Sequence, residues 1–212
     1  MNQIMNFQKE LDKKIKELEA TGKVPTLLIH SCCAPCSSYV LEYLSSYFHI
    51  TVLYFNPNIY PTEEYSSRVE EQKRLIEQLP AKYPIEFLEG RYLPEEFYAI
   101  AKGHELDKEG EERCFRCYRL RLEEAAKYAK DAGFDFFTTT LSISPLKNAA
   151  KLNEIGSELS KEYEVSYLFS DFKKKEGYKR SIQLSQEYDL YRQNYCGCVY
   201  SKISAEKQEK GE

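Results

Sequence analysis

No apolar run in the 212 residues is long enough to cross a bilayer, so no helical membrane span is expected. There is no internal repeat and no low-complexity linker. The length therefore suits a single domain over residues 1–212 with a core of its own. Positive charge is not in excess. The net charge of −4 gives no overall attraction to nucleic acid, so any polyanionic partner must be met by a local basic patch. The opening stretch Met1–Thr21 combines apolar residues at helical spacing with many charges, which fits neither a signal peptide nor a transit peptide. A cytoplasmic location follows as the expectation, and there ordinary thiols stay reduced.

In that setting the seven cysteines stand out. Their odd number argues against a simple disulfide framework. They fall into three groups: Cys32, Cys33 and Cys36; Cys114 and Cys117; Cys196 and Cys198. Thiols scattered through a core would not group in this way, and grouped thiols in a reducing compartment point to metal ligands or redox groups.

Short apolar segments alternate with amphipathic ones. The strands are expected at Thr26–Ser31, Ile50–Asn56, Ile85–Leu88, Asp135–Leu141 and Val165–Phe169, apolar on consecutive positions as buried parallel strands are. Helices are expected near Ser37–Tyr47, Glu63–Gln78, Cys114–Ala132, Leu146–Glu162 and Tyr178–Asp189, with Pro61 and Pro145 marking starts and Gly133 a stop. This alternation predicts an α/β fold with an open, Rossmann-like parallel sheet and a C-terminal helical segment. Residues 94–120 break it and read as a helical insertion leading into the second cysteine group. In such sheets ligands gather beyond the carboxyl ends of the strands. The first cysteine group, the NPNIYP segment and the TTLSISP segment each follow a strand and should converge there.

Cys114 and Cys117 form a CxxC at an expected helix start, where the helix dipole, Arg113 and Arg116 should favour thiolates. Cys32 and Cys33 with Cys114 and Cys117 make four thiols, the usual ligand number of an iron–sulfur cluster. Zinc is the competing metal, although the first group lacks the spacing of a zinc knuckle. Cys196-Gly197-Cys198 can close into a small, easily reduced ring and so suits a cycling dithiol; a further ligand pair or two packed thiols are the alternatives. A dithiol beside a cluster is suited to a two-electron reduction fed by an external electron donor.

With these groups in place, the sequence resembles the QueH family of epoxyqueuosine reductases. The matching segments are HSCCAPCS at His30–Ser37, FNPNIYP at Phe55–Pro61, EEYSSR at Glu63–Arg68, RCFRCYRLRL at Arg113–Leu122, TTTLSISPLKN at Thr138–Asn148 and YRQNYCGCVYS at Tyr191–Ser201. The resemblance implies reduction of the epoxide of epoxyqueuosine at the wobble position of a tRNA anticodon, the last step of queuosine synthesis. It implies a 4Fe–4S cluster on Cys32, Cys33, Cys114 and Cys117, and a redox-active pair at Cys196 and Cys198. It also implies a fold similar to adenine-nucleotide α-hydrolase-like domains. Cys36, at a position that can be acidic in the family, is either a ligand to an additional mononuclear iron or a plain helix-start cysteine.

Among the other residues, His30 is either a proton donor beside the cysteines or a satisfied core histidine. Asn56 and Asn58 are either contacts to a modified base or turn residues. Arg119, Lys147, Lys173–Lys175, Arg180 and Arg192 are candidates for phosphate contacts, and Tyr191 or Tyr195 for stacking on a base or protonating the oxygen. Two other functions use similar parts. A cluster-dependent tRNA sulfurtransferase needs a glycine-rich phosphate loop after the first strand, and the HSCCAPCSS found there has no glycine. A zinc-stabilised RNA-binding module predicts a colourless protein containing zinc and no sulfide.

Overall fold

In the computed structural model residues 5–210 are described, so Met1–Ile4 of the opening stretch lie outside the described residues. The chain runs α1 (Phe7–Thr21), β1 (Thr26–His30), α2 (Ala34–Leu44), β2 (His49–Tyr54), α3 (Thr62–Gln78), β3 (Ile85–Glu89), α4 (Pro94–Ala101), α5 (Glu112–Ala132), β4 (Phe136–Thr139), α6 (Ala149–Glu162), β5 (Ser166–Tyr167), α7 (Gly177–Glu187) and α8 (Val199–Lys210). All neighbouring strands pair in parallel, in the order β3-β2-β1-β4-β5. This is the Rossmann-like arrangement expected from the alternating pattern.

Side chains alternate across the sheet and feed two cores. Leu27, Ile29, Ile50 and Val52 pack on one face with α1 and α2. Leu28, Leu53 and Phe137 pack on the other with α5 and α6. Both faces are covered, which is why the strands read as nearly unbroken apolar runs. α1 buries Leu11, Ile15 and Leu18, one helical stripe.

The boundaries differ from the sequence expectation in instructive ways. α6 begins at Ala149 rather than at the turn after Pro145, because Asn148 accepts a hydrogen bond from the Lys151 N–H and caps the helix there. β4 stops at Thr139, whose hydroxyl accepts from the Leu141 N–H and starts a 3-10 turn over Thr140–Ile143. β5 is correspondingly short, pairing only Ser166 and Tyr167 with Phe136 and Phe137. Within the expected insertion, α4 and the following turns are separate, but α5 is a core helix from Glu112 onward. It carries a continuous buried stripe through Cys117, Arg121, Leu122, Ala125 and Ala129, and ends on Gly133 with φ of 74°.

Candidate functional site

Connections leave β1 and β4 in opposite directions, so the sheet's switch point lies between them, where a crevice forms beyond the strand ends. His30 ends β1 and is fully buried across this gap. Its Nε2 lies 3.1 Å from the Phe55 carbonyl and its Nδ1 3.0 Å from Thr139 Oγ1. A carbonyl only accepts, so Nε2 carries the proton and Nδ1 accepts from the threonine. Burial pushes the His30 pKa down to about 3, and Arg121 adds to this. His30 is thus the neutral, satisfied core histidine of the two roles considered.

The loop after β1 delivers the first thiols. Cys33 is the extended N-cap residue of α2, and Pro35 lies in its first turn. The sulfurs of Cys32, Cys33 and Cys36 all lie within 4.8 Å of one another, with Cys32 and Cys33 at 3.8 Å, a cluster that could hold a metal ion. Hydrogen bonds from Cys33 and Cys36 hold the Cys32 thiol well below its ordinary pKa, and the same contact with Cys32 raises Cys33 and Cys36.

These three cysteines line an open cavity of about 160 Å³, together with the turn after β4, Lys147 and the segment 192–196. Beside it lies a small cavity of about 10 Å³, lined by Cys114, Cys117, Cys196 and Cys198. Cys196 and Arg121 line both. The three cysteine groups thus meet at the carboxyl edge of the sheet, although Cys114 and Cys117 are not in the tight sulfur trio. The third group is tied in by backbone. The Tyr60 N–H donates to the Gly197 carbonyl at 2.8 Å, and Gly197 has φ of 114°, which glycine adopts readily. Cys198 is buried at the start of α8, where its sulfur accepts from the Ser201 N–H at 3.4 Å. Cys196 faces the open cavity.

The CxxC departs from expectation. Both thiols sit in the first turns of α5, yet burial raises their pKa values, Cys117 to about 12. Neither neighbouring arginine outweighs this. Arg113 donates to the His104 and Glu105 carbonyls and stacks on Tyr200, and Arg116 pairs with Glu112 at the surface. The cation that acts on Cys117 is Arg121, one helical turn further along.

Three cations with almost no exposure line the open cavity. Arg68 is held by Glu64 through Nε at 2.8 Å, and Lys147 by Glu109 at 2.6 Å. Arg121 donates to the Cys117 carbonyl at 3.2 Å and Asn56 Oδ1 at 3.5 Å. Sequence reasoning missed Arg68, Glu109 and Arg121. The available signal for Arg121 was its spacing, seven residues after Cys114 and four after Cys117, on one helix face.

The remaining candidates divide. Lys147, Arg192 and Tyr195 line the open cavity. Arg119 is engaged by Glu158 and Glu162, Arg180 by Glu42 and Glu187, Lys173 by Asp171 and Lys175 by Asp12, and none of these lines the crevice. Tyr191 is exposed. Asn56 is consumed structurally, donating to the Ser31 carbonyl at 2.8 Å. Asn58 is buried on the smaller cavity, and its Oδ1 has no hydrogen-bond partner.

Comparison with known proteins gives a consistent match. The family model described as epoxyqueuosine reductase QueH matches residues 27–204. A protein of Streptococcus pyogenes serotype M1 named epoxyqueuosine reductase QueH is 42% identical over 202 residues, 94% of this chain and 79% of that protein. Proteins of the same name from Staphylococcus aureus (strain Mu50) and Thermotoga maritima are 42% and 36% identical, over 95% and 87% of this chain and 86% and 93% of their own lengths.

Proposed function

The chain belongs to the epoxyqueuosine reductase QueH family, and we propose that it reduces the epoxide of epoxyqueuosine to the alkene of queuosine at the wobble position of a tRNA anticodon, in the cytoplasm. The reaction takes two electrons and two protons, and the epoxide oxygen leaves as water. Cys32, Cys33, Cys114 and Cys117 would hold a 4Fe–4S cluster, whose chemistry is to pass electrons singly. Cys36 lies in the sulfur trio and would serve an additional mononuclear iron. The donor set fits such a group: thiols crowd one crevice, and the buried Arg121 Nη2 and Asn58 Oδ1 beside them lack hydrogen-bond partners.

The chain's own residues carry the rest. Cys196 faces the open cavity and Cys198 lies inside, so closing this pair to a disulfide releases two electrons and two protons next to the substrate space. An external electron donor then reopens it. Lys147, kept charged by Glu109, presents an ammonium to that space and would protonate the departing oxygen. Arg192 and Tyr195 at the rim suit the phosphate and base of an unstacked anticodon nucleotide.

The observation that carries this reading is that Cys196 lines both the open cavity and the one holding the CxxC sulfurs. The test is anaerobic purification from iron-replete cells, followed by incubation with tRNA carrying epoxyqueuosine and a reductant. Brown protein with about four or five irons and four sulfides per chain, and queuosine in the digested tRNA, are expected. Colourless, zinc-loaded protein, or unchanged epoxyqueuosine, would overturn it.

A further inference from the structure

Two of the three buried cations lining the open cavity are paired with a carboxylate. Arg68 has Glu64 and Lys147 has Glu109. Arg121 is more deeply buried than either, at 1% exposure, and no carboxylate pairs with it among the described residues. Its two hydrogen-bond partners are a carbonyl and an amide oxygen, and its Nη2 has none. A guanidinium shut away from water without an anion is costly, and the cost persists only where the working state of the protein supplies the missing charge.

Its surroundings say what that charge is. Arg121 stands in the wall common to the two cavities, and it faces one cysteine from each group: Cys32, Cys117 and Cys196. The helix fixes the placement, because Arg121 Nε binds back to the Cys117 carbonyl one turn earlier.

We infer that Arg121 is a positioning residue that acts as the fixed counter-charge of the sulfur centre, holding its reduced, more negative state within reach of the electron donor. The inference rests on the cluster reading proposed above and goes beyond it by assigning the charge that tunes the centre. An added electron is stabilised by a cation already in place, which needs no reorganisation and is not screened by water.

The test is a redox titration of anaerobically purified, iron-loaded protein, with iron and acid-labile sulfide measured on the same samples. Arg121→Gln keeps hydrogen-bonding capacity and removes the charge; Arg121→Lys keeps the charge and changes the shape. Arg121→Gln is expected to load iron and sulfide like the wild type but to disfavour the reduced state by tenfold or more, a shift of about 59 mV to lower potential for one electron. Arg121→Lys should show less than half of that shift. If Arg121→Gln fails to assemble the centre while Arg121→Lys succeeds, the charge is again the cause. Equal potentials in wild type and Arg121→Gln, equal shifts in both variants, or failure of both variants to assemble would overturn the inference and leave the cluster reading standing. A wild-type protein with no one-electron chromophore would instead remove the cluster reading, and this inference with it.

Discussion

Removing the Lys147 ammonium should cost turnover rather than binding or folding. The lysine side chain is 6% exposed and its partner Glu109 is 32% exposed, so a Lys147→Met variant leaves behind a carboxylate that water can reach. A charged donor aimed at an oxygen that gains negative charge as its bond breaks contributes about 3–4 kcal/mol, so kcat should fall by roughly 10²–10³. KM and iron content should stay near wild type. The Glu109→Gln variant tests the same pair through pH. Burial opposes the charge on Lys147, but Cys196 and Glu109 outweigh it and raise the pKa above the ordinary lysine range. The working form is the protonated one, so activity is lost as pH rises through that pKa, and in the wild type this lies beyond the accessible alkaline range. Without the Glu109 charge the pKa falls and the alkaline limb moves to lower pH. Single-turnover rates on tRNA carrying epoxyqueuosine, measured across pH, report both effects. A Lys147→Met rate within twofold of wild type, or an unmoved alkaline limb in Glu109→Gln, would refute the assignment.

Further outcomes test the framework. Cys196→Ser should retain its iron and sulfide but lose turnover, read by metal analysis and nucleoside analysis of the same sample; an active variant would remove the dithiol from the mechanism. Gly156 on α6 lies against Tyr167, and a Cβ there would enter the space of the tyrosine ring, itself packed in the core. Gly156→Ala should therefore lower stability by roughly 1–3 kcal/mol in urea unfolding, and an unchanged midpoint would show that the α6–β5 contact yields easily.

Much of this was legible in the chain because each signal was local. β1, β2 and β4 carry the apolar runs of a sheet covered on both faces, and the CxxC and Cys-Gly-Cys spacings need no tertiary knowledge. What could not be read depended on contacts between segments. Arg113 and Arg116 flank the CxxC in sequence, yet one turns toward carbonyls of the preceding loop and the other toward solvent. Arg121 reaches the sulfurs because a helix brings every fourth residue onto one face, and only the packing of α5 on the sheet says which face is buried. Asn148 overrides Pro145 as the helix start through a side-chain cap, a competition between two good local signals. The partners of Arg119 and Arg180 lie on other helices, so their availability for phosphate was not readable from spacing.

The loop after β1 also explains how a nucleotide-binding architecture becomes a sulfur site. In such sheets glycines after the first strand let phosphate oxygens reach the backbone N–H groups at the helix start. Here the same place carries Cys32 and Cys33, with Pro35 in the first turn of α2. Proline removes one N–H donor, and the cysteine side chains occupy the approach that glycine would leave open. The positive end of α2 remains, and no side chain caps it. It therefore faces the Cys32, Cys33 and Cys36 sulfurs, which gain from the dipole when they bear negative charge. Cysteines at this helix start thus place sulfur where the fold's electrostatics favour negative charge.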